Sequence, residues 1–217
     1  MIVIHNEDSL EGLYKLDTGI ADLALIDPPY FDYKTGHRKE GKKHKFGQSM
    51  LQQSREDQIR TIHRCLSVLK EDRAAFVFTN WENIWWMQEP FQTHVRNMII
   101  WDKGNWAAGD LKGSFGNQYE VILLIAKGKW EYTGKRESDI WMIPRVGTNR
   151  IHATEKPVEL YEKIIANSCT ENALVIDPYG GSGASAMACK RLNRNFIGWE
   201  LDPEYHARIM ERLKGDK

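Results

Sequence analysis

The sequence predicts an α/β fold in which a mostly parallel, twisted sheet carries helices on both faces. Strand-like and helix-like segments alternate along the chain, which is typical of parallel strands joined by helical crossovers. Two of the strand-like segments, 73–79 and 119–128, are rich in apolar residues, as expected for strands that are buried on both faces. The length of 217 residues fits one large domain, or one domain with a small insertion.

The elements are predicted in chain order from the spacing of their apolar residues. Strands are expected at 2–5, 22–27, 73–79, 95–101, 119–128, 173–177 and 195–201. A helix is expected over about 55–69, where one face carries Ile59, Ile62, Leu66 and Leu69. A second helix is expected over about 157–167, with Pro157 at a first-turn position, and two more near 184–192 and 203–213.

Two stretches interrupt this alternation. Residues 31–54 show no clear periodicity and contain a cluster of basic side chains, namely Lys34, Arg38, Lys39, Lys42, Lys43 and Lys45. Long loops without regular structure are often functional, although a solvated surface loop would have the same composition. The region of about 102–150 is rich in glycine, tryptophan and charge outside its strand.

Composition and charge exclude several classes of protein. No run approaches the roughly 18 apolar residues of a membrane span, and the N-terminal segment lacks the layout of a signal peptide, so we expect a cytoplasmic protein. Cys65, Cys169 and Cys189 stand apart, which argues against a disulfide framework or a zinc site, and no metal is expected. The formal net charge of zero argues against a uniformly basic nucleic-acid binder but permits a local basic patch.

The strongest functional signal is a glycine-rich turn between two strands. One strand ends at Asp177, glycines follow at 180, 181 and 183, a helix begins, and the next strand ends near Glu200. Glycines permit the tight turn and a close approach of the backbone to a ligand. An acid about twenty residues on, at the tip of the next strand, is placed to accept hydrogen bonds from ribose hydroxyls. The pattern predicts a nucleoside-binding βαβ unit.

The spacing of the glycines indicates which nucleoside is bound. The sequence GGSG matches neither the dinucleotide motif GxGxxG nor the phosphate-binding motif GxxxxGK[ST]. A sulfonium nucleoside has no phosphates and needs fewer backbone donors. The spacing therefore favours S-adenosylmethionine as the cofactor.

A second motif, Asp27-Pro28-Pro29-Tyr30, follows the strand predicted at 22–27. Two consecutive prolines end a strand, because neither can donate to its ladder and each restricts the preceding residue. The motif either punctuates a loop or holds a site made of the Asp27 carboxylate and the Tyr30 ring.

Taken together and in this order, these motifs resemble those of the amino-methyltransferases of DNA, in the permuted subgroup called beta. That family has an early (D/S)PP(Y/W) motif and a late DPFxGSGT motif, which appear here as DPPY and DPYGGSGA. Its HxTxKP motif appears as HATEKP at 152–157, and its N-terminal segment resembles NEDSLEGL. The resemblance covers nearly the whole chain, with Tyr179 in place of Phe, Ala184 in place of Thr and Glu7 in place of Gly.

The resemblance implies a Rossmann-like methyltransferase fold, with one domain over 1–217 that includes the basic loop and a small target-recognition region at about 102–150. It also implies a set of cofactor-binding residues, with Asp8 near the adenine of the cofactor. The set comprises Asp8, Asp27, His152, Thr154, Lys156, Asp177, Tyr179, Gly181, Ser182, Gly183 and Glu200.

The same resemblance implies catalysis by Asp27, Pro28, Pro29 and Tyr30 on an exocyclic amine of a base. Asp27 and the Pro28 carbonyl would accept hydrogen bonds from that amine, and the prolines would hold both acceptors rigidly. Tyr30 would stack on a base flipped out of double-stranded DNA. The six basic residues at 34–45 would then bind phosphates.

Recognition of the DNA sequence is expected from the 102–150 region, with Lys103, Asn105, Lys112 and Arg145 as candidates. That region is short, so a second copy of the chain in a homodimer could assist it. The tryptophans Trp85, Trp86, Trp101 and Trp141 are expected in the core or in an interface.

Three alternatives to adenine N6 methylation stay open. The target could be cytosine N4, although Asp27 favours adenine because cytosine-N4 enzymes of this subgroup more often have serine there. RNA or protein glutamine methylation would usually place the glycine motif before the PPY motif, which is the reverse of the order found here. A non-catalytic nucleic-acid-binding protein is disfavoured by the intact Asp27, Tyr30 and Glu200.

Overall fold

The computed structural model describes residues 1–29, 53–106, 112–147 and 154–215. Within these residues the strands are β1 (Ile2–His5), β2 (Ala21–Ile26), β3 (Leu69–Thr79), β4 (Val95–Asp102), β5 (Tyr119–Lys127), β6 (Ile140–Met142), β7 (Leu174–Asp177) and β8 (Asn195–Trp199). The α-helices are α1 (Ser9–Tyr14), α2 (Arg55–Val68), α3 (Ile84–Gln88), α4 (Val158–Ser168), α5 (Ala184–Arg191) and α6 (Pro203–Gly215). A short 3-10 helix, Glu89–Phe91, follows α3.

The strands form one sheet in the order β1-β8-β7-β2-β3-β5-β4-β6. Only β5 runs antiparallel to its neighbours β3 and β4, and the other pairs are parallel. All six residues of β2 are buried, as expected for a strand in the middle of a sheet whose two faces are both covered. The prediction of an α/β fold with a mostly parallel sheet is confirmed.

Helices cover both faces of this sheet. Leu23 and Leu25 of β2 belong to one buried cluster, together with apolar residues of α4 and α5. Ala24 and Ile26 point the opposite way, into a second cluster that includes residues of α1, α2 and α3. Alternation along β2 thus divides the core into two layers. None of the helices in the described part of the chain is long and apolar enough to cross a bilayer.

The direction of the chain connections reverses between β7 and β2. From β7 the chain continues to β8 on one side, and from β2 it continues to β3 on the other. The register pairs Leu23 with Val175 and Ala24 with Ile176, which brings the carboxyl ends of β7 and β2 side by side. In open α/β sheets, ligands bind at such a switch point.

The structure departs from the sequence-based prediction at the smallest elements. Helices α1 and α3 and strand β6 were not predicted, and each contains between three and six residues. Strand β6 pairs in parallel with β4, inside a region that the sequence predicts as irregular. Strand β3 begins at Leu69, directly after α2 and earlier than predicted.

Gly183 allows α6 to pack against the turn between β7 and α5. Its φ is +73°, and a Cβ there would lie 2.6 Å from Cγ2 of Ile209. We expect Gly183→Ala to lower the free energy of unfolding by about 3 kcal/mol, because left-handed strain adds to overpacking. Gly19 has a similar φ of +71° with open space around it, so Gly19→Ala should lower it by only about 1–2 kcal/mol. Denaturant unfolding measures both values, and equal losses would contradict the proposed contact.

Candidate active site

The candidate site lies where β8, β7 and β2 end. Glu200 directly follows β8, Asp177 is the last residue of β7, and Asp27 directly follows β2. Because these neighbouring strands are parallel, their carboxyl ends meet at one edge of the sheet. The structure therefore brings together the three acidic residues that the sequence predicts for the site.

Glu200 holds the glycine-rich turn against the end of β8. Its Oε2 accepts a hydrogen bond from the Gly181 N–H at 2.8 Å, and its Oε1 accepts one from the Asp202 N–H at 2.9 Å. A carboxylate oxygen can accept more than one hydrogen bond, so both oxygens keep capacity for a ligand. Burial raises the pKa of Glu200, although the two N–H donors oppose that rise.

Asp177 organises the same turn from inside. It is almost fully buried, and it accepts hydrogen bonds from the Tyr179 N–H at 2.8 Å and from the Ser185 hydroxyl at 2.5 Å. Burial raises the pKa of Asp177 to about 7, the hydrogen bonds from Ser185 and Tyr179 oppose the rise, and the negative charges of Asp27 and Glu200 add to it. Both oxygens are engaged within the turn, and a direct contact of Asp177 with the cofactor stays a prediction.

Asp8 caps the first helix. Its Oδ1 accepts hydrogen bonds from the Leu10 and Glu11 N–H groups at 2.9 and 3.1 Å, which satisfies two donors at the start of α1. The neighbouring Asn6 amide donates to the carbonyls of Glu200 and Leu201 at 2.8 and 3.0 Å. Asn6 thereby ties the segment before α1 to the end of β8, a role that sequence reasoning missed.

The buried Lys156 forms an ion pair with the partly buried Asp27. Its Nζ lies 2.9 Å from Oδ1 and 2.8 Å from Oδ2 of Asp27, and its side chain is only 3% exposed. The same Nζ lies 3.4 Å from Oε2 of Glu120 on β5. The structure places the Lys156 ammonium on the Asp27 carboxylate, and a contact of Lys156 with the cofactor stays a prediction.

Charge and burial act against each other in this cluster. Burial raises the pKa of Asp27, the Lys156 ammonium lowers it, and the negative charge of Glu120 raises it again, so that the pKa lies above its usual value. Burial alone would lower the pKa of Lys156, but the carboxylates of Asp27 and Glu120 outweigh it and the pKa is raised. Lys156 is therefore charged and lies between the carboxyl groups of Asp27 and Glu120.

Helix α2 supports the proline motif. Nε2 of Gln58, a residue that is 1% exposed, donates a hydrogen bond to the Pro29 carbonyl at 2.8 Å. Just before the helix, Oε1 of Gln53 accepts one from the Tyr179 hydroxyl at 2.5 Å. Burial raises the pKa of Tyr179, so this hydroxyl remains a donor at neutral pH. Sequence reasoning identified neither glutamine, because a polar residue on a surface helix is usually exposed.

Several predicted site residues lie outside the described residues, namely Tyr30, Lys34, Arg38, Lys39, Lys42, Lys43, Lys45 and His152. Among the recognition candidates, Asn105, Lys112 and Arg145 are exposed, whereas Nζ of Lys103 lies 3.4 Å from Oε1 of Glu120. Thr154 and Ser182 lie in the described part, and Ser182 is buried within the glycine turn.

The predicted tryptophan positions are mostly confirmed. Trp86, Trp101 and Trp141 are buried, and the Trp101 indole donates to the Ile143 carbonyl at 2.8 Å. Trp85 is 61% exposed and is not a core residue, and its ring lies 5.5 Å from the Arg55 guanidinium.

Two cavities in the described part of the chain lie away from this edge. One of about 490 Å³ is lined by residues of β6 and α4, and another of about 430 Å³ is lined by residues that include Asp22 and Arg73. Neither is lined by Asp27, Asp177 or Glu200. Within the same described ranges there is no group of three or more histidine, cysteine or acidic side chains suited to a metal ion.

The raised pKa of Asp177 predicts a pH dependence of stability. A free aspartate has a pKa of about 3.9, so between about pH 4 and 7 the folded chain holds a proton that the unfolded chain has lost. The contribution of Asp177 to the free energy of unfolding therefore falls as the pH rises through this window, by up to about 4 kcal/mol. Denaturant unfolding at about pH 5 and about pH 7.5 measures this difference in the free energy of unfolding, and we expect Asp177→Asn to abolish it.

The exposed Asp17 supplies the control for that measurement. Asp17→Asn should reproduce the pH dependence of the unsubstituted protein. If Asp177→Asn did so too, Asp177 would not hold its proton up to neutral pH.

Comparisons with known proteins identify the family and the fold. A family model described as DNA methylase matches residues 21–211. The Type II methyltransferase M2.DpnII of Streptococcus pneumoniae is 28% identical over 252 residues, which cover 100% of this chain and 90% of that protein.

Solved structures of methyltransferases are also similar to this chain. The crystal structure of the M1.HpyAVI–SAM complex matches with a TM-score of 0.72 and 25% identity, over 98% of this chain and 100% of that one. The cytosine-N4-specific PvuII DNA methyltransferase matches with a TM-score of 0.78 and 16% identity, over 98% of this chain and 86% of that one. The second likeness is one of fold alone.

Proposed function

The chain belongs to the DNA methylase family and is an S-adenosylmethionine-dependent DNA methyltransferase, and we propose that it methylates the N6 amine of a flipped-out adenine in double-stranded DNA. The observation that carries methyl transfer to an exocyclic amine is the Asp27 carboxylate, held at the end of β2 beside the glycine turn at the end of β7. The choice of adenine rests on the resemblance, because cytosine-N4 enzymes of that subgroup more often have serine in place of Asp27. A methyl acceptor and a methyl donor bound at these two strand ends would be neighbours.

The residues of the glycine turn fit a nucleoside without phosphates. The Glu200 carboxylate accepts hydrogen bonds only, which suits the hydroxyls of a ribose. The Gly181 backbone has a φ of +52°, and for a Cβ placed there the nearest atom is the Tyr179 carbonyl oxygen at 3.7 Å. The outer side of the turn is therefore open for a ligand to approach the backbone.

Asp27 and the Pro28 carbonyl would act on the target amine. The lone pair of an exocyclic amine is delocalised into the ring, so the nitrogen is a weak nucleophile. Two acceptors that bind its hydrogens favour a tetrahedral nitrogen with an available lone pair, and they stabilise the positive charge that develops there. S-adenosylmethionine supplies an electrophilic methyl group when it is bound. The proton of the methylated amine can leave afterwards, so Asp27 need not be a strong base.

Rigid placement of these acceptors is the contribution of the surrounding chain. The two prolines restrict the backbone of the motif, and Gln58 fixes the Pro29 carbonyl. Holding reacting groups in line removes much of the entropic part of a barrier. The basic residues at 34–45, which the structure does not describe, are proposed to bind phosphates beside the flipped base.

Mass spectrometry of nucleosides from DNA treated with the protein and S-adenosylmethionine tests the proposal. We expect N6-methyladenine. N4-methylcytosine alone would refute the choice of base, since the same acceptors suit both amines, and would leave the mechanism standing. Unmodified DNA alongside methylated RNA or protein would refute the proposed function.

Asp27→Asn tests the role of the carboxylate. We expect transfer to slow by about 100- to 1000-fold, because an electrostatic partner of the transition state is lost. In calorimetric titrations the affinity for S-adenosylhomocysteine should change little, because the lost interaction is made to the amine. The affinity for the cationic S-adenosylmethionine should fall by only about fivefold, from the loss of one negative charge. A variant that kept its transfer rate would show that Asp27 has no part in the chemistry.

Glu200→Ala tests the cofactor site. Loss of charge-assisted hydrogen bonds of about 1.5–3 kcal/mol should weaken the affinity for S-adenosylmethionine by about 10- to 100-fold. Glu204→Ala, which removes an exposed carboxylate at the start of α6, is the matched control and should bind like the unsubstituted protein. Equal affinities of the two variants in calorimetry would contradict the assignment.

A further inference from the structure

A row of alternating charges runs from Asp27 along the same edge of the sheet. Lys156 lies against Asp27 and reaches Oε2 of Glu120 at 3.4 Å, and Lys103 reaches Oε1 of Glu120, also at 3.4 Å. The four side chains are between 3% and 17% exposed, so water screens their charges only partly. We define them as the charge row: Asp27, Lys156, Glu120 and Lys103.

We propose that Glu120 is a positioning residue for methyl transfer, which balances Lys156 so that Asp27 keeps its capacity to accept hydrogen bonds from the target amine. The inference rests on the proposed function. Glu120 does not need to touch either substrate, because it acts through Lys156.

The position of Glu120 is fixed by the pairing of its strand with β4. It is the second residue of β5 and pairs with Trp101 of β4, whose own ring is buried. Lys156 is fixed as well, because its stem is buried and its ammonium lies 5.5 Å from the centre of the Phe78 ring. The charge row therefore cannot rearrange easily when one member is changed.

Stability does not explain the charge row. Removing charges from water is costly, and apolar replacements of buried ion pairs are often equally stable or more stable. An ammonium has three donors, and two carboxylate partners satisfy them while leaving Asp27 with oxygen lone pairs to spare. The arrangement meets a catalytic need, which is an ionised but still available carboxylate.

The charges of the row can be counted. With Glu120 present, two carboxylates balance two ammonium groups. Without it, Asp27 would face both cations and the row would have a net charge of +1. A net positive charge would oppose a sulfonium cofactor and the positive charge that develops on the amine. It would not oppose the demethylated product, which carries one positive charge less.

The first test compares affinities for S-adenosylmethionine and S-adenosylhomocysteine in calorimetric titrations without DNA. We expect Glu120→Gln to reduce the preference for S-adenosylmethionine over S-adenosylhomocysteine by about fivefold, which is the effect of one charge at a moderate distance in a medium of intermediate dielectric constant. Lys103→Gln removes a positive charge from the same row and should shift the preference in the opposite direction.

The matched control is Glu71→Gln. The Glu71 carboxylate lies 3.0 Å from Nζ of Lys127, at the other end of β5, and its side chain is 75% exposed. Glu71→Gln removes the same chemical group from an ion pair whose lysine is on β5, and we expect no change in the cofactor preference.

The second test is the pH profile of methyl transfer. The groups that interact with Asp27 are Lys156, Glu120 and the buried Asp177 and Tyr161. Glu120 raises the pKa of Asp27, so its loss should move the acidic limb of the kcat profile to lower pH while kcat itself falls about tenfold. Glu120→Asp should restore part of kcat.

The outcomes separate the two proposals. An unchanged cofactor preference in both Glu120→Gln and Lys103→Gln, with an unmoved acidic limb, would overturn the role of Glu120 even if stability fell. The affinity measurements need no DNA, so they decide the point even if the target proved to be another base. If Glu120→Gln did not fold, Lys103→Gln alone would still test the charge balance.

Discussion

The ion pair between the buried Lys156 and the partly buried Asp27 is the interaction on which the site depends. It joins residues that are 129 positions apart, the end of β2 and the segment that leads into α4. Removal of one partner from such a pair typically costs 3–5 kcal/mol, because the other charge stays buried. The pair therefore fixes both the Asp27 carboxylate and the segment that leads into α4. Stability alone does not account for this ion pair, since an apolar pair could fill the same space.

Three carboxylates at one sheet edge create a second constraint. Asp27, Asp177 and Glu200 lie close enough for their charges to affect one another, and burial raises the pKa of each. Asp177 relieves part of the repulsion, because with a pKa of about 7 it is partly protonated at neutral pH. The remaining negative charge suits a cationic methyl donor, so the cost of collecting acids at this edge is offset when the cofactor binds.

The sequence allowed the large elements and the three acids to be predicted for a simple physical reason. Apolar runs indicate buried strands, and the carboxyl ends of parallel strands meet at one edge, so Asp27, Asp177 and Glu200 could be brought together without knowing any contact. The short elements α1 and β6 could not be predicted, because neither is long enough to show a periodic spacing of apolar residues. The contacts of Lys156 with Asp27 and Glu120 could not be predicted from the sequence either. Lys, Glu and Gln residues normally indicate exposed positions. Here packing buries Lys156 and Gln58 and leaves Glu120 only 17% exposed.

The same geometry limits what the charge row can decide. Asp27, the Pro28 carbonyl and the groups behind them would act on an exocyclic amine, which adenine and cytosine both present. The two bases differ in ring size and in the groups beside that amine, neither of which an acceptor for N–H hydrogens can distinguish. Choice of base must therefore depend on contacts to the ring, which the proposed role gives to Tyr30 and to residues that surround the flipped base. In the proposed roles, Glu120 and Lys156 would control how fast the amine reacts, and this rate could change independently of the choice of base.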